Sequence, residues 1–402
     1  MATAVPIALA APAGAPLYAG KFQAGLYGGV SLGDAVASGA LSSNAADLSG
    51  SILLDQVLPT GGVSVVQSAL AVAAAAVGYG SVVEFASTTL NANDATGTLP
   101  WGPCLAPGSL TPLDWANDMA WSPTRRQAFS SGGRPYNQAE SQKVIRYDEA
   151  TDSWRSWVNP FGGGSGGHIY DSTTIADEHG VLFHIPYGNG LIHMWDIDTQ
   201  TYIGSIAVPP YPPQYGSYSV VSALEWAPNL GAQGSLLFLN STAVQIKRYD
   251  WATGVWSEVQ TTPGPGLQST HTIAVRLPVS DIVLMGVAYT GDPLPPLLVV
   301  DGASGSVSQT PPCPAPISCN GASYRGPICS HPNGTSAILF SKDNQRIYEY
   351  VAATNTWHDR AALPAALNSV TTIACTIPDL GIVLFVDRPG GVYKTYIYKP
   401  GF

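Results

Sequence analysis

Short apolar stretches broken by polar turns recur along this chain, and their order is regular. Val181–Phe183, Ser235–Leu239, Ile282–Met285, Ala337–Phe340 and Gly381–Phe385 each read as a buried strand. One strand earlier come Ser172–Ile175, Val220–Leu224, His271–Val275 and Val370–Ala374. After each buried strand, except the last, lies a hairpin: a β-rich stretch such as Val144–Tyr147, a polar turn, and a return through a large residue. That makes four strands per unit. With 43 glycines and 33 prolines punctuating the chain, long helices are not expected.

The hairpins share a signature in which a first residue is followed by Asp-x-x-Thr or a variant and by a partner seven positions on. The pairs are Tyr147 with Trp154, Trp195 with Tyr202, Tyr249 with Trp256, Val300 with Val307 and Tyr350 with Trp357. Their first members lie 48, 54, 51 and 50 residues apart, a period that marks a propeller or solenoid. Asp148 and Thr151 in the first turn, and their counterparts, are expected to hydrogen-bond the backbone and stop the strand, while the paired rings pack across it.

The predicted fold is all-β, a six-bladed propeller of four-stranded antiparallel blades over residues 79–402. Its hairpins fall near 143–157, 191–206, 244–259, 297–309 and 346–359. The last blade, 369–402, supplies three strands, including Val392–Tyr398, and needs a fourth to cover its exposed edge. The donor is expected within Ser81–Leu90. Seven blades would result if residues 80–115 formed a degenerate blade of their own.

The first unit, with Gly132-Gly133, Tyr147 fourteen residues after Gly133 and Trp154 seven further, resembles a kelch motif. The galactose-oxidase type of propeller is built from similar blades, and the resemblance covers roughly residues 110–402. Later units depart from it: the Gly-Gly pair is missing, and the fourth replaces both aromatics with Val300 and Val307.

Composition narrows the function. Of the 402 residues only 11% are charged, against about 25% in an ordinary globular protein. The net charge is −10, and the densest basic group, Arg125-Arg126, is too small to neutralise nucleic-acid phosphates. So charge-poor a surface favours burial in an assembly and a homo-oligomer. The apolar run Ala69–Val77 falls well short of the about 20 residues of a membrane span. The N-terminus has no Lys or Arg before Lys21, so the basic region of a secretory signal is missing.

Residues 1–78 differ in kind, with almost no aromatic and very few charged side chains, and read as an extended Gly/Ala-rich arm. Two phrases repeat within it, Gly29–Gly39 and Gly50–Gly61, each a glycine, a short strand, an aspartate, a valine and a second glycine. Alone, such a segment buries too little apolar surface to offset its ordering entropy. The phrase Leu48–Gly62 resembles segments of tail and fibre proteins from tailed bacteriophages. That resemblance implies a virion component whose arm binds other virion proteins.

Candidate chemistry is sparse. The kelch resemblance raises a galactose-oxidase-like copper site, which needs two tyrosines, two histidines and a cysteine cross-linked to tyrosine. Histidines stand at 168, 179, 184, 193, 271, 331 and 358; His184 and His193 flank one hairpin, and no Cys–Tyr pair is evident. Asp148, Asp196, Asp250 and Asp301 occupy repeated turns, leaving Asp114, Asp118, Asp177 and Glu178 without an assigned role. No nucleophile elbow, phosphate loop or His-Glu-x-x-His helix occurs, and the glycine run 162–167 reads as a linker between blades. Cys313, Cys319 and Cys329 cluster in a Pro-rich loop; a Cys313–Cys319 disulfide is sterically feasible, but an odd total of five favours free thiols.

The candidate ligand-binding residues are Tyr211, Tyr215 and Tyr218, held on a Pro/Gly frame between the second and third blades, together with Trp101 and Trp115. Such rings suit sugars or protein surfaces, whereas Trp121 reads as core. The resulting expectation is a non-enzymatic virion protein without cofactor or metal, at a tail tip or fibre, attaching to a host surface glycan or protein. A carbohydrate-active or copper-radical oxidase and a secreted, extracellular lectin or adhesin are the alternatives.

Overall fold

The structure, a computed structural model, describes residues 67–87, 119–132, 143–158, 171–185, 190–209, 222–240, 245–259, 271–288, 294, 296–315, 319–320, 323–324, 327–367, 372–387 and 392–402. The chain divides into two compact units, Met1–Ser68 and Ala69–Phe402. The second begins with helix α1 (Ala69–Ala76) and strand β1 (Val82–Phe85). Blade 1 follows as β2 (Ala120–Ser122), β3 (Gln127–Gly132), β4 (Lys143–Asp148) and β5 (Ser153–Val158). Blade 2 is β6 (Thr173–Ala176), β7 (Val181–His184), β8 (Leu191–Asp196) and β9 (Thr201–Ala207). Blade 3 is β10 (Ser222–Ala227), β11 (Ser235–Asn240), β12 (Gln245–Asp250) and β13 (Val255–Glu258). Blade 4 is β14 (His271–Leu277), β15 (Ile282–Ala288), β16 (Pro296–Asp301) and β17 (Val307–Pro312).

A two-stranded hairpin, β18 (Cys319–Asn320) with β19 (Ser323–Tyr324), precedes blade 5. That blade is β20 (Ile328–Ser330), β21 (Ser336–Ser341), β22 (Arg346–Val351) and β23 (Thr356–Ala362). Blade 6 takes β24 (Thr372–Ile377), β25 (Ile382–Asp387) and β26 (Lys394–Tyr398) from the C-terminal end and β1 from upstream, in the order β1-β26-β25-β24. The upstream strand thus lies inside the predicted donor segment, with Val82 opposite Tyr398 and Phe85 opposite Thr395. Residues 82–85 belong to blade 6, and the blades number six. Inner strands touch in the cyclic order β2, β6, β10, β14, β20, β24 and back to β2, which closes the ring.

The ring explains why the second strands are unbroken apolar runs. Each blade is covered on both faces by its neighbours, so alternate residues of β11 serve different seams: Leu236 and Phe238 face blade 2, Leu237 and Leu239 face blade 4. The buried apolar residues accordingly form six clusters, one at each boundary between adjacent blades. A side chain of this size contributes about 1.5–3 kcal/mol when fully buried.

The arm boundary needs a correction. Residues 69–78, read from sequence as arm, pack with the propeller: Leu70, Ala74 and Val77 join the cluster at the seam of blades 6 and 1, beside Phe85, Ile377 and Tyr147. The run Ala69–Ala76 is helical because alanine and leucine are strong helix formers. Its burial is set by Leu70 and Ala74, one turn apart on the same face. Residues 1–66, with both glycine-bounded phrases, lie outside the described residues.

Candidate functional site

Antiparallel meanders sort the connections between strands onto two rims. Those joining first to second and third to fourth strands leave one rim and are four to seven residues long, for example 123–126 and 149–152. Those from second to third strands, and from one blade to the next, leave the opposite rim. The latter run from 363–371, the shortest, to 86–119, which joins β1 of blade 6 to β2 of blade 1. Residues 208–221, which contain Tyr211, Tyr215 and Tyr218, connect β9 to β10 on this second rim. Those three tyrosines, with Trp101, Trp115, the glycine run 162–167, Asp114, Asp118, His168 and Cys104, lie outside the described residues.

The repeat residues form the outer hairpins. All five pairs sit directly opposite one another across the third and fourth strands. Ring centroids are 5.1 Å apart for Tyr147 and Trp154, 5.7 Å for Trp195 and Tyr202, 5.2 Å for Tyr249 and Trp256, and 5.4 Å for Tyr350 and Trp357. In four turns the leading aspartate caps the backbone. Asp148 Oδ1 accepts from the Thr151 amide and hydroxyl (both 3.1 Å), and Asp250 does the same for Thr253 (both 3.0 Å). Asp196 accepts from the amides of Asp198 and Thr199, Asp301 from those of Ala303 and Ser304. The Thr199 and Ser304 amides hold Asp196 and Asp301 below the ordinary carboxylate range, and for Asp250 the Thr253 hydroxyl has the largest effect.

A further repeat position escaped the sequence reading. The fifth residue after each leading residue has positive φ: Asp152 (46°), Gln200 (58°), Gly254 (69°), Gly305 (73°) and Asn355 (51°). Only two of the five are glycine, which hid the pattern. Asp152 and Asn355 compensate by accepting from the hydroxyl of the leading tyrosine, at 3.0 Å from Tyr147 and 2.9 Å from Tyr350. Burial pushes the Tyr147 and Tyr350 hydroxyls above their ordinary values.

On the short-turn rim the charges left unassigned acquire partners. Arg125 reaches from blade 1 to blade 2: its Nε and Nη2 fork onto Asp198 (2.7 and 2.6 Å), and Nη1 donates to the Asp177 carbonyl (2.8 Å) and carboxylate (3.0 Å). Asp177 also accepts from Ser122 and Thr124. Arg126 points the other way round the ring, pairing with Glu149 of blade 1 (2.6 Å) and Asp379 of blade 6. Glu178 accepts from the Trp226 indole (2.7 Å), while the His179 ring sits 5.6 Å from both Trp226 and Trp251 and its Nε2 lies 2.9 Å from the Gln233 carbonyl. These residues clasp adjacent blades.

Near the axis, two carboxylates cover the inner strand edges. The Asp171 carbonyl accepts from the Leu224 amide (2.8 Å), and its Oδ2 accepts from the Ala274 amide (2.9 Å), so one residue of blade 2 touches blades 3 and 4. Glu225 Oε1 accepts from the Thr174 hydroxyl and the Trp226 amide, both 3.0 Å; burial pushes its carboxyl up against those bonds. His184 and His193 are opposite each other on β7 and β8, both buried. Burial, reinforced for His184 by its neighbour, takes them down to about 3 and about 4. The His184 Nδ1 lies 3.1 Å from the Thr173 hydroxyl.

Among the described residues no group of three or more His, Cys, Asp or Glu is arranged to hold a metal ion. Cys313, Cys329 and Cys375 are buried, and burial pushes the Cys313 thiol up to about 12. No described helix is long and apolar enough to cross a membrane.

No protein-family profile and no curated protein matches the chain. Solved structures do. A chain of the Mitotic Checkpoint Complex matches with a TM-score of 0.43 at 10% identity, over 79% of this chain and 94% of that one. A protein of unknown function from Bacteroides thetaiotaomicron VPI-5482 matches with a TM-score of 0.47 at 10% identity, over 78% and 75%. A chain of the Nidogen/Laminin Complex matches with a TM-score of 0.41 at 9% identity, over 60% and 78%. Similarities at this level of identity assign no activity.

Proposed function

We propose that this chain is a non-enzymatic structural component of a tailed-bacteriophage particle, in which a separate N-terminal unit joins other virion proteins and the propeller presents a surface for host attachment. The observation that carries the attachment half is the asymmetry of the ring. One rim is drawn tight by short capped turns and by Arg125 and Arg126, while the longer connections leave the other. Loops positioned by a rigid scaffold are where binding residues concentrate. The tyrosines at 211, 215 and 218 belong to such a connection and carry large rings at little conformational cost. The virion half rests on the Gly-rich phrases, the 11% charged composition and the separate unit Met1–Ser68.

The test follows from the unit boundary. Deleting residues 1–68 leaves a folded propeller that no longer enters particles, whereas the triple change Tyr211→Ala, Tyr215→Ala, Tyr218→Ala leaves assembly intact and weakens adsorption to host cells. Incorporation of the truncated chain into particles refutes the anchoring role. Copper at one per purified chain, with turnover of galactose-type sugars, refutes the non-enzymatic reading.

A further inference from the structure

The short-turn rim carries the one Asn-Gly pair whose two residues are both described, Asn333-Gly334, in the turn 331–335 between β20 and β21. Asn333 is exposed and Gly334 buried. Asparagine is a thermolabile residue, and a glycine after it offers no Cβ to obstruct approach to its own nitrogen. Asn333 Oδ1 accepts from the Thr335 amide (2.9 Å). That bond folds the side chain over the Gly334 peptide and polarises the side-chain carbonyl.

The same peptide clasps two blades. The Gly334 carbonyl accepts from the amides of Val279 (2.9 Å) and Ser280 (3.1 Å) in the turn joining β14 to β15, which bonds blade 5 to blade 4. The Ser280 hydroxyl donates to the Thr335 carbonyl (3.2 Å). Within the turn, the Gly334 amide donates to the His331 carbonyl (2.8 Å) and the Asn333 amide to His331 Nδ1 (3.0 Å). The fit has no slack: at a φ of +71°, a Cβ on Gly334 would meet Val279 Cγ2 at 2.7 Å and the Val279 nitrogen at 3.1 Å.

We propose that Asn333 is a site of slow self-modification gated by this clasp, and that its product loosens the seam between blades 4 and 5. The Gly334 nitrogen gives its proton to solvent base and bonds to Asn333 Cγ; the Cγ–Nδ2 bond breaks and ammonia departs, leaving a succinimide. Water then opens the ring at either carbonyl, giving aspartate or isoaspartate at 333 with no other reactant. In the closed turn the His331 carbonyl holds the Gly334 proton, so the reaction runs from the small population in which the turn has opened. The isoaspartyl form carries an extra methylene in the backbone just before Gly334. Contacts as close as those to Val279 do not accommodate that lengthening, and the bonds to the Val279 and Ser280 amides are lost.

The experiment incubates the full chain in mildly alkaline buffer, folded and, in parallel, unfolded in guanidinium chloride. Mass spectrometry follows the tryptic peptide Gly326–Lys342, which excludes the Asn-Gly pairs at 189–190 and 320–321. The folded chain is expected to convert at Asn333 about ten- to a hundredfold more slowly than the unfolded one. Ser280→Ala, which removes the hydroxyl bond to the Thr335 carbonyl, is expected to speed conversion of the folded chain and leave the unfolded rate unchanged. The converted fraction, separated by its added negative charge, is expected to melt below the parent. Asn333→Asp, with the same charge and an unlengthened backbone, melts close to the parent. No conversion in the folded chain after about a hundred half-lives of the unfolded reaction overturns the proposal. Equal folded and unfolded rates overturn the gating, and a converted fraction that melts with the parent overturns the loosening.

Discussion

Replacing Arg125 by alanine tests whether the short-turn rim is held by a buried anchor or by a surface ion pair. The side chain spends its donors on two aspartates in different settings: Asp177 is 15% exposed and Asp198 61%. The fork onto Asp198 resembles other exposed pairs and contributes about 0.2–1 kcal/mol. The two bonds from Nη1 to Asp177 lie inside the seam and contribute about 1 kcal/mol each. Arg125→Ala is therefore expected to cost about 2–3 kcal/mol, or roughly 3–4 °C in Tm for a unit of this size. Asp198→Ala removes only the exposed half and costs less than about 1 kcal/mol, and Arg125→Lys, which cannot fork, recovers less than half of the loss. Gly180→Ala mimics the defect from the other side, because a Cβ there meets Arg125 Nη2 at 2.8 Å at a φ of +65°. The pH dependence has a definite sign. Arg125 holds Asp198 below its ordinary value, so this pair adds stability above the unfolded carboxylate range and loses it as pH falls through the folded value. The gap between wild type and Arg125→Ala thus narrows below about pH 4 by the smaller share that Asp198 carries. Equal losses for Arg125→Ala and Asp198→Ala, or a gap that vanishes once Asp198 is protonated, would refute the anchor reading.

Other outcomes follow from the same contacts. Asn355→Ala, at a φ of 51° and losing the acceptor for Tyr350, is expected to lower stability by about 2 kcal/mol in urea unfolding. Gln200→Gly, at 58°, is expected to raise it by about 0.5 kcal/mol, since relief of strain exceeds the added freedom of the unfolded chain. Leu70→Ala, in a fully buried helix position, should cost about 2–5 kcal/mol; a smaller loss than 1 kcal/mol would show that α1 is not part of the ring core. His184 and His193 titrate well below the unfolded value, so the unfolded chain takes up protons first and stability falls as pH drops below about 6.5. The expected slope is about 1.4 kcal/mol per pH unit for each histidine, and it should shrink in the double variant His184→Gln, His193→Gln.

The parts legible in the sequence are those with a two-sided physical demand. A strand buried on both faces must be apolar throughout, which exposed Ser235–Leu239 and Ile382–Phe385 as second strands. A hairpin needing a cross-strand pair and an Asx turn left Tyr147, Asp148, Thr151 and Trp154 in fixed spacing. The open edge of the last blade demanded a donor, and a β-branched pair at Val82-Val83 met it. Helix α1 was missed because its apolar run was weighed as a membrane segment, not as a short buried turn pair. The clasps were missed for another reason: Arg125, Asp177 and Asp198 are 52 and 73 residues apart, and no local pattern joins residues that meet only after the ring closes. The candidate binding tyrosines were legible as composition alone, since a Pro/Gly frame announces a loop but not the surface it presents.

A ring with six separate apolar seams has no central core to fall back on, so the blade whose strands come from both ends of the sequence needs the most reinforcement. That blade is the sixth, where β1 pairs with β26, and extra contacts collect on it and on its boundary with blade 1. Arg126 joins Glu149 to Asp379 across it, and the Met119 amide donates to the Ala374 carbonyl (2.9 Å). Leu70, Ala74 and Val77 fill its apolar layer. The closing strand is itself pinned at both ends: the Gly80 amide donates to the Lys399 carbonyl (2.7 Å), the Lys399 amide to the Ser81 carbonyl (3.2 Å), and Glu84 pairs with Lys394 (2.7 Å). Lys399 adds a bond to the Ala74 carbonyl (3.2 Å) and stands 5.0 Å over the Tyr79 ring. The chain enters this seam directly from residue 68. If the N-terminal unit is the anchor, any load on the particle passes through α1 and β1 before it reaches another blade. The contacts on β1 and at this boundary are then what keep a tethered ring from opening where β1 pairs with β26.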